Sequence, residues 1–308
     1  MTTKNRAVTG VLIMVLVLFV ILLIFTSYTV NALKDSGGQG GVLIKSHKDR
    51  GPIGVVEIRG VIMDAKAVVE KLETAAEDKN IKAIFVRIDS PGGAVAPSQE
   101  IYQEILRVDK IKPVYSSMGS VAASGGYYLA AATRKIFANA GTLTGSIGVI
   151  MEFADLSKLY EFIKISPEVV KAGKYKDVGS PHRPLTEEER ALLKDLIGGV
   201  HKQFINDILA KRKDKIKGNM EEMAQGQVFT GETAKKLGLV DEVMGLWEAA
   251  RQIHKEMGLK EEFGLTYIKE KKRNSLWDIL ENLDESITNL GLKSNFTQVP
   301  MYLFRPGD

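Results

Sequence analysis

The chain has 308 residues, no cysteine and a formal net charge of +4 from acidic and basic side chains that are interspersed along it. Without cysteine it cannot form a disulfide framework, use a thiol nucleophile or build a zinc site from cysteines. The small, mixed charge gives no reason to infer nucleic-acid binding.

The first predicted element is an apolar segment near the N-terminus. No charged residue occurs between Arg6 and Lys34, and residues 11–25 are almost wholly Val, Leu, Ile, Met and Phe. About 20 apolar residues are enough to span a bilayer. Residues 7–30 are therefore predicted to form one transmembrane helix that acts as a signal anchor.

The charges before this helix favour one orientation. Lys4 and Arg6 lie in residues 1–6, which the positive-inside rule assigns to the cytoplasm. The rest of the chain is then expected outside the cytoplasm, held at the cell membrane by a single pass. Residues 31–52 contain a glycine-rich run and are predicted as a linker. Cleavage at residues 30–32 is the alternative to anchoring.

Strand-like and helix-like runs alternate after the linker. The predicted strands are Ile53–Arg59, Ala83–Ile88, Val114–Ser117, Lys135–Ala138 and Ile147–Met151, and the predicted helices between them are Asp64–Asp78 and Pro97–Val108. This alternation indicates an α/β fold with βαβ units and parallel pairing. Ligands bind beyond the carboxyl ends of the strands in such sheets.

Two of these strands end in segments suited to a site. Asp89-Ser90-Pro91-Gly92-Gly93 follows the second strand, and paired glycines there can aim a backbone N–H into a crevice. Ser124 follows the third strand, and Gly125 and Gly126 come directly after it. Ser124 is therefore predicted at a helix N-terminus, where free N–H groups favour the negative charge of acyl transfer. The alternative is a small-residue turn that packs a helix on a sheet.

Two further segments complete a pattern that resembles the signal peptide peptidase A (SppA) family. They are Thr142–Val149, which contains Thr-Gly-Ser at 144–146, and Lys171–Pro181, which contains Tyr-Lys-Asp at 175–177. Together with the glycine pair and the Ala-Ser-Gly-Gly motif at 123–126, they occur in the family's order and spacing. The resemblance runs from about Ile53 to about Ala250.

The resemblance implies a role for each matching residue. Ser124 matches the nucleophile, Lys176 the general base, and Ser146 the serine that helps hold that lysine. Gly93 matches the glycine whose N–H joins that of Ser124 in the oxyanion hole. The implied fold is Clp/crotonase-like, with repeated ββα units and a parallel sheet, over residues 53–258.

The resemblance also implies an activity and its setting. The expected protein is a membrane-bound serine endopeptidase with a Ser-Lys dyad. Its expected substrates are released signal peptides and other membrane-proximal or unfolded chains. A ring-like homo-oligomer is expected, and neither a cofactor nor a metal is implied.

The need for a base can be argued without the resemblance. An unactivated serine is a poor nucleophile and needs an adjacent base, usually histidine, although Ser-Lys pairs are known. Of the chain's four histidines, His182 is the main competitor, through a relay of Asp89, His182 and Ser124. A lysine accepts a proton only when it is neutral, and burial is what favours that form. The predicted base therefore needs cover from substrate or from a neighbouring subunit.

Two other functions remain open on the sequence. A crotonase-type acyl-CoA enzyme would share the paired oxyanion N–H groups, and a membrane scaffold would keep the fold without catalysis. The N-terminal span argues against the first, and the intact pair of Ser124 and Lys176 argues against both.

The C-terminal part is predicted to be more helical. Thr186 caps a long helix that reaches about Lys213, and residues 227–241 are predicted as a strand edge, a short helix and a last strand. Residues 259–308 form an amphipathic tail, either docked on protein or lying in the membrane interface with Trp277 as anchor. Residues 300–304 are suited to lie in the active-site groove as a product-like peptide.

Overall fold

The computed structural model describes residues 19–20, 25, 51–269 and 301–303, with the side chains of 302 and 303 excepted. The chain divides into two units, Met1–His47 and Lys48–Asp308. The predicted linker, apart from Gly51 and Pro52, and the predicted tail helix with Trp277 lie outside the described residues. So does most of the predicted anchor, of which Phe19, Val20 and Phe25 are described as helical and exposed. No helix among the described residues is long and apolar enough to cross a membrane.

The strands and helices of the second unit alternate, as the sequence predicts. The strands are β1 Ile53–Arg59, β2 Ala83–Ser90, β3 Gly92–Ala94, β4 Val114–Ala123, β5 Ile136–Ala138, β6 Leu143–Gly145, β7 Val228–Thr230, β8 Glu242–Val243, β9 Leu265–Tyr267 and β10 Met301–Leu303. The helices are α1 Lys66–Glu77, α2 Val95–Asp109, α3 Gly125–Ala131, α4 Ser157–Phe162, α5 Glu187–Arg212, α6 Met220–Met223, α7 Gly231–Lys236 and α8 Leu246–Glu256.

Most of the strands form one mixed sheet. Its order is β7-β6-β4-β2-β1-β9, with β5 paired to both β4 and β8. Every pairing in it is parallel except that of β6 with β7. The fold is therefore α/β with a mostly parallel sheet, as the sequence predicts.

Both faces of this sheet are covered, because side chains alternate along each strand. Val56 of β1 and Val86 of β2 belong to the larger core, which also contains apolar side chains from α1, α2, α3 and α5. Val55 and Phe85 point to the other face and pack in a smaller core that includes α8. Strands buried on both faces explain the nearly continuous apolar runs of the sequence.

Three features differ from the sequence-based prediction. The expected strand Ile147–Met151 is wrong, because only an isolated antiparallel bridge, between Ile150 and Met301, forms there. The short strand β6 lies just before it and pairs with the carboxyl-terminal end of β4. In addition, β9 lies within the predicted tail, yet it pairs with β1 at the edge of the main sheet.

Candidate active site

Ser124 lies where β4 turns into α3. Its backbone has a φ of 52° and a ψ of −115°, it occupies the N-cap position of α3, and it is 1% exposed. Left-handed φ is costly for a residue with a Cβ and is kept where the surrounding structure enforces it, often at functional sites. Such a tight strand-to-helix turn also resembles the geometry that presents nucleophilic serines in hydrolases. The predicted nucleophile therefore has a backbone typical of that role.

Ser146 lies next to Ser124 on the neighbouring strand. Ala123 of β4 pairs with Gly145 of β6, so each serine is one residue beyond a paired position. Ser146 also has a left-handed φ, of 50°, and its side chain is buried. Its N–H donates to the carbonyl of Gln227 at 2.7 Å, which fixes the turn after β6. The fold thus places the two predicted serines at the carboxyl ends of two neighbouring strands, β4 and β6.

Gly93 lies in β3, and the start of α3 packs closely against this strand. A Cβ on Gly125 would come within 3.2 Å of the nitrogen of Gly93, and a Cβ on Gly93 would lie 1.9 Å from the carbonyl oxygen of Ile62. Only glycine fits at Gly93 without moving that backbone. The double glycine therefore lets β3 lie between the segment of Ile62 and the start of α3.

A groove runs along the free edge of β3, and β10 lies in it. Met301 pairs with Ala94, and Tyr302 pairs with Gly93, in antiparallel register. On its other side Met301 exchanges two backbone hydrogen bonds with Ile150, of 3.0 and 3.2 Å. The expectation that residues 300–304 lie along the site thus has backbone support at Met301–Leu303. Its remaining residues lie outside the described part of the chain.

The side chain of Met301 is 3% exposed, so the groove takes up side chains as well as backbone. Ile62 and Ile150, which line the two sides of this arrangement, were not singled out by the sequence. The sequence marks them only as apolar residues, and of the two only Ile150 lies close to a motif, Thr-Gly-Ser at 144–146.

The two N–H groups predicted to form the oxyanion hole differ in their hydrogen bonds. The Ala94 N–H donates to Ile62 at 2.7 Å, so the Gly93 N–H, which alternates with it, faces the groove. The Ser124 N–H, in contrast, donates to the Gly145 carbonyl at 2.8 Å. In this structure Ser124 is therefore not available as the second donor, because its N–H joins β4 to β6.

A cavity of about 610 Å³ adjoins the groove. It is lined by Ser146, by the segment from Gly148 to Ile150 and by one face of α5 that includes Lys194 and His201. Since Ile150 also bonds to Met301, this cavity opens beside a bound peptide strand. It offers room next to Ser146 for a side chain that the described part of the chain does not itself supply.

Lys176 lies on the surface and forms no hydrogen bond with either serine among the described residues. It belongs to the Lys176 loop, residues 171–180, and its side chain is exposed. Within the part of the chain that the structure describes, its ammonium forms no hydrogen bond or ion pair with Ser124, Ser146 or any other residue. One copy of the described chain thus assembles Ser124, Ser146 and Gly93 but leaves the predicted base outside.

The Lys176 loop is tied to the start of α5 by charged groups. Lys174 and the Tyr175 hydroxyl both bind Glu188, and Asp177 binds Lys171 and Arg183. Hydrogen bonds, first from Lys174 and then from Tyr175, hold the pKa of the Glu188 carboxyl below its usual value.

His182 and Asp89 do not form the alternative relay in this structure. The Asp89 carboxylate accepts the Val121 N–H at 3.1 Å, which places it in a bulge between β2 and β4. The His182 ring lies 5.0 Å from that of Tyr160, and its Nδ1 is buried without a hydrogen-bond partner among the described residues. Asp89 is thus engaged by β4, and the His182 ring packs beside α4.

No metal site is visible in the described residues, which contain no group of three or more acidic, histidine or cysteine side chains able to hold an ion.

Two family models match this chain. That of peptidase family S49 matches residues 107–260, which include Ser124, Ser146 and Lys176. That of the Clp proteases matches residues 55–145, which include Gly93 and Ser124. The two matches overlap on β4 and α3, where the strained serine lies.

Similar proteins come from distant organisms. The Synechocystis sp. protein slr0021, provisionally named as a protease, is 42% identical over 205 residues, which cover 66% of this chain and 73% of the relative. Serine protease SPPA of Arabidopsis thaliana chloroplasts is 37% identical over 236 residues, which cover 76% of this chain and 35% of the relative. An Enterococcus faecium protein, provisionally named signal peptide peptidase SppA, is 33% identical over 198 residues, which cover 64% of this chain and 57% of the relative.

Proposed function

Because this chain belongs to peptidase family S49 and is a serine protease, we propose that it is a membrane-anchored endopeptidase with Ser124 as nucleophile and Lys176 as general base. The observation that carries the proposal is the strained backbone of Ser124, buried at the end of β4 beside a groove that holds an extended peptide strand. Family membership also argues against the acyl-CoA enzyme and the scaffold.

The substrate binds as an added strand. A peptide in the position of β10 pairs with β3 on one side and with Ile150 on the other, so backbone hydrogen bonds supply much of its affinity. Only an extended chain with free backbone groups can make these bonds. This supports unfolded or released segments, such as signal peptides, as substrates.

The reaction follows the logic of serine acyl transfer. Ser124 Oγ attacks the scissile carbonyl while Lys176 Nζ takes the hydroxyl proton, and the same nitrogen then gives that proton to the leaving amine. Water hydrolyses the resulting acyl-enzyme with Lys176 again as base. The Gly93 N–H stabilises the oxyanion, and the Ser124 N–H adds a second bond only if Gly145 releases it.

The base comes from a neighbouring copy of the chain. Lys176 is exposed in one copy, whereas a lysine base needs a desolvated setting. The segment before it exposes large apolar side chains, with Val170 94% and Phe162 84% accessible. A second copy that covers this segment would bury both the apolar surface and Lys176. This supports the ring-like homo-oligomer.

The membrane setting rests on the N-terminal sequence. Residues 7–30 form the single-pass anchor, and the catalytic unit faces the extracytoplasmic side of the cell membrane, where membrane-proximal peptides are released.

The proposal is tested by peptide hydrolysis with the full chain in detergent. We expect Ser124→Ala and Lys176→Ala each to lower kcat by at least about a thousandfold, as in other serine peptidases whose nucleophile or base is removed. His182→Ala should retain most activity, because its ring packs on Tyr160. Circular dichroism and sedimentation check that the fold and assembly are unchanged. Equal losses in the His182 and Lys176 variants would refute the assignment of the base.

A further inference from the structure

The predicted base is followed directly by an acidic residue. The Asp177 side chain lies one residue from Lys176 and is 13% exposed. A free carboxylate beside a lysine favours the ammonium form, which cannot accept a proton. The partners of Asp177 therefore decide whether Lys176 can serve as a base.

Arg183 is the main partner of that carboxylate. Its Nε donates to one oxygen of Asp177 at 3.1 Å, and a terminal nitrogen of its guanidinium lies 3.0 Å from the other. The Lys171 ammonium binds the second oxygen as well. Hydrogen bonds from Arg183, and then from Lys171, hold the pKa of the Asp177 carboxyl well below its usual range. Both oxygens of Asp177 are thus engaged by cations other than Lys176.

The opposite side of Arg183 is fixed to α5. Its guanidinium donates to the two oxygens of Glu189 at 2.6 and 2.8 Å, and the Glu189 side chain is 5% exposed. Glu189 also accepts the Thr186 N–H at 2.9 Å as part of a capping box. A planar guanidinium can bridge two carboxylates in this way, whereas an ammonium cannot keep the same paired geometry.

The other charges facing the loop are also engaged. On α5, Glu188 binds Lys174 and the Tyr175 hydroxyl. The two lysines that precede the base in this loop, Lys171 and Lys174, are therefore both paired with acids, while Lys176 itself binds no acid among the described residues. Arg183 completes this arrangement, since it takes up Asp177 and Glu189 at once.

We propose that Arg183 is a positioning residue for the base: it turns the Asp177 carboxylate away from Lys176 and ties the Lys176 loop to the N-terminus of α5. The inference rests on the proposed role of Lys176. Two effects follow from it. Loss of Arg183 frees the loop, which lowers kcat, and it also frees Asp177 to pair with Lys176, which keeps the base protonated up to a higher pH.

The test is the pH dependence of kcat and KM for peptide hydrolysis by the full chain in detergent, from about pH 6 to about pH 10. For Arg183→Gln we expect kcat at neutral pH to fall at least about tenfold and KM to stay within about twofold. We also expect the acidic limb of the plot of kcat against pH, where activity rises as the base loses its proton, to move up by about one pH unit. Adding Asp177→Asn to this variant removes the freed carboxylate. The double variant should return the limb towards its wild-type position.

The suppression by Asp177→Asn separates positioning from a merely structural role, which would leave the pH profile in place. An unchanged profile in Arg183→Gln, or a shift that Asp177→Asn does not reverse, would overturn the inference. The control Arg190→Gln removes an exposed arginine of α5 and should match wild type. If Arg183→Gln does not fold, Arg183→Lys is the second variant, because it keeps the positive charge but loses the paired N–H groups of the guanidinium. Its pH profile of kcat should shift in the same direction by a smaller amount, and an unshifted profile would contradict the inference. Activity in Lys176→Ala would refute the proposed function instead.

Discussion

Ser124 and Ser146 are two of the three non-glycine residues with positive φ among the described residues. The position of Ser124 could be predicted from the sequence alone, because it follows a strand-like run and precedes two glycines, whereas Ser146 was indicated only by the family resemblance of its Thr-Gly-Ser motif. Their strain could not be predicted, since it depends on β6 pairing with the last residues of β4. A hydroxyl held in a strained turn is what distinguishes these serines from those of ordinary loops.

At the same scale, Gly93 tests the edge of β3. In Gly93→Ala the new Cβ would meet the Ile62 carbonyl oxygen at 1.9 Å, so the strand and its N–H must move. We expect kcat/KM for peptide hydrolysis to fall by at least about a hundredfold, the typical cost of one misplaced oxyanion donor. Gly141→Ala, where nothing lies within 4 Å of the new atom, is the matched control. Equal activities in the two variants would contradict the role of Gly93.

At the scale of elements, the sequence predicted what local patterns determine. β1, β2, β4 and the long helix α5 follow from apolar runs and from the cap at Thr186. The bridge at Ile150 and the pairing of β3 with β10 involve partners about 150 and 200 residues away, which single-chain periodicity cannot supply. The apolar run at residues 147–151 predicted a strand because its local pattern says nothing about pairing partners. In the structure Ile150 forms only an isolated bridge there, with Met301.

The capping box of α5 makes a prediction about pH. Hydrogen bonds from Arg183, and then from the Thr186 N–H, lower the pKa of Glu189 to about 2 from an ordinary value of 4.5. Because the folded pKa is the lower one, the stabilisation is complete above pH 4.5 and is lost as the pH falls through about 2. We expect Glu189→Gln to lower Tm at neutral pH by about 2–4 °C.

The measurement is thermal unfolding of both proteins from neutral pH down to about pH 2.5. The gap in Tm between wild type and Glu189→Gln should narrow below pH 4.5. Glu187→Gln, on the exposed side of the same helical turn, should show little difference at any pH. A gap that is constant with pH would mean that the charge of Glu189 is not what stabilises this helix.

At the scale of the whole molecule, the separation of Lys176 from Ser124 predicts complementation between copies. A mixture of Ser124→Ala and Lys176→Ala chains, dissociated and reassembled together, should regain peptidase activity in about a quarter of its sites at equal amounts. Each variant reassembled alone is the control and should stay inactive. If the mixture is as inactive as its components, although capture of an affinity-tagged Ser124→Ala chain also recovers Lys176→Ala chains, the base acts within its own chain.

The position of β10 predicts competition within the chain. Met301–Leu303 occupies the groove on β3, so a peptide substrate must displace it. A chain that ends at Pro300 should therefore show an apparent KM lowered by about threefold or more, with kcat unchanged. A chain that ends at Leu303 keeps the strand and serves as control. Unchanged kinetics after removal of residues 301–308 would show that β10 does not compete.

The two-sided pairing of Met301 bears on which chains would escape cleavage. Its N–H donates to Ile150, and a proline in that place has no N–H to offer. A passing peptide with proline at that point would lose one rung of the ladder while keeping its side-chain contacts. The positions of proline in a substrate would then determine whether it resists this protease. Placing proline at each position of one cleavable peptide in turn would identify the residues that pair with the groove.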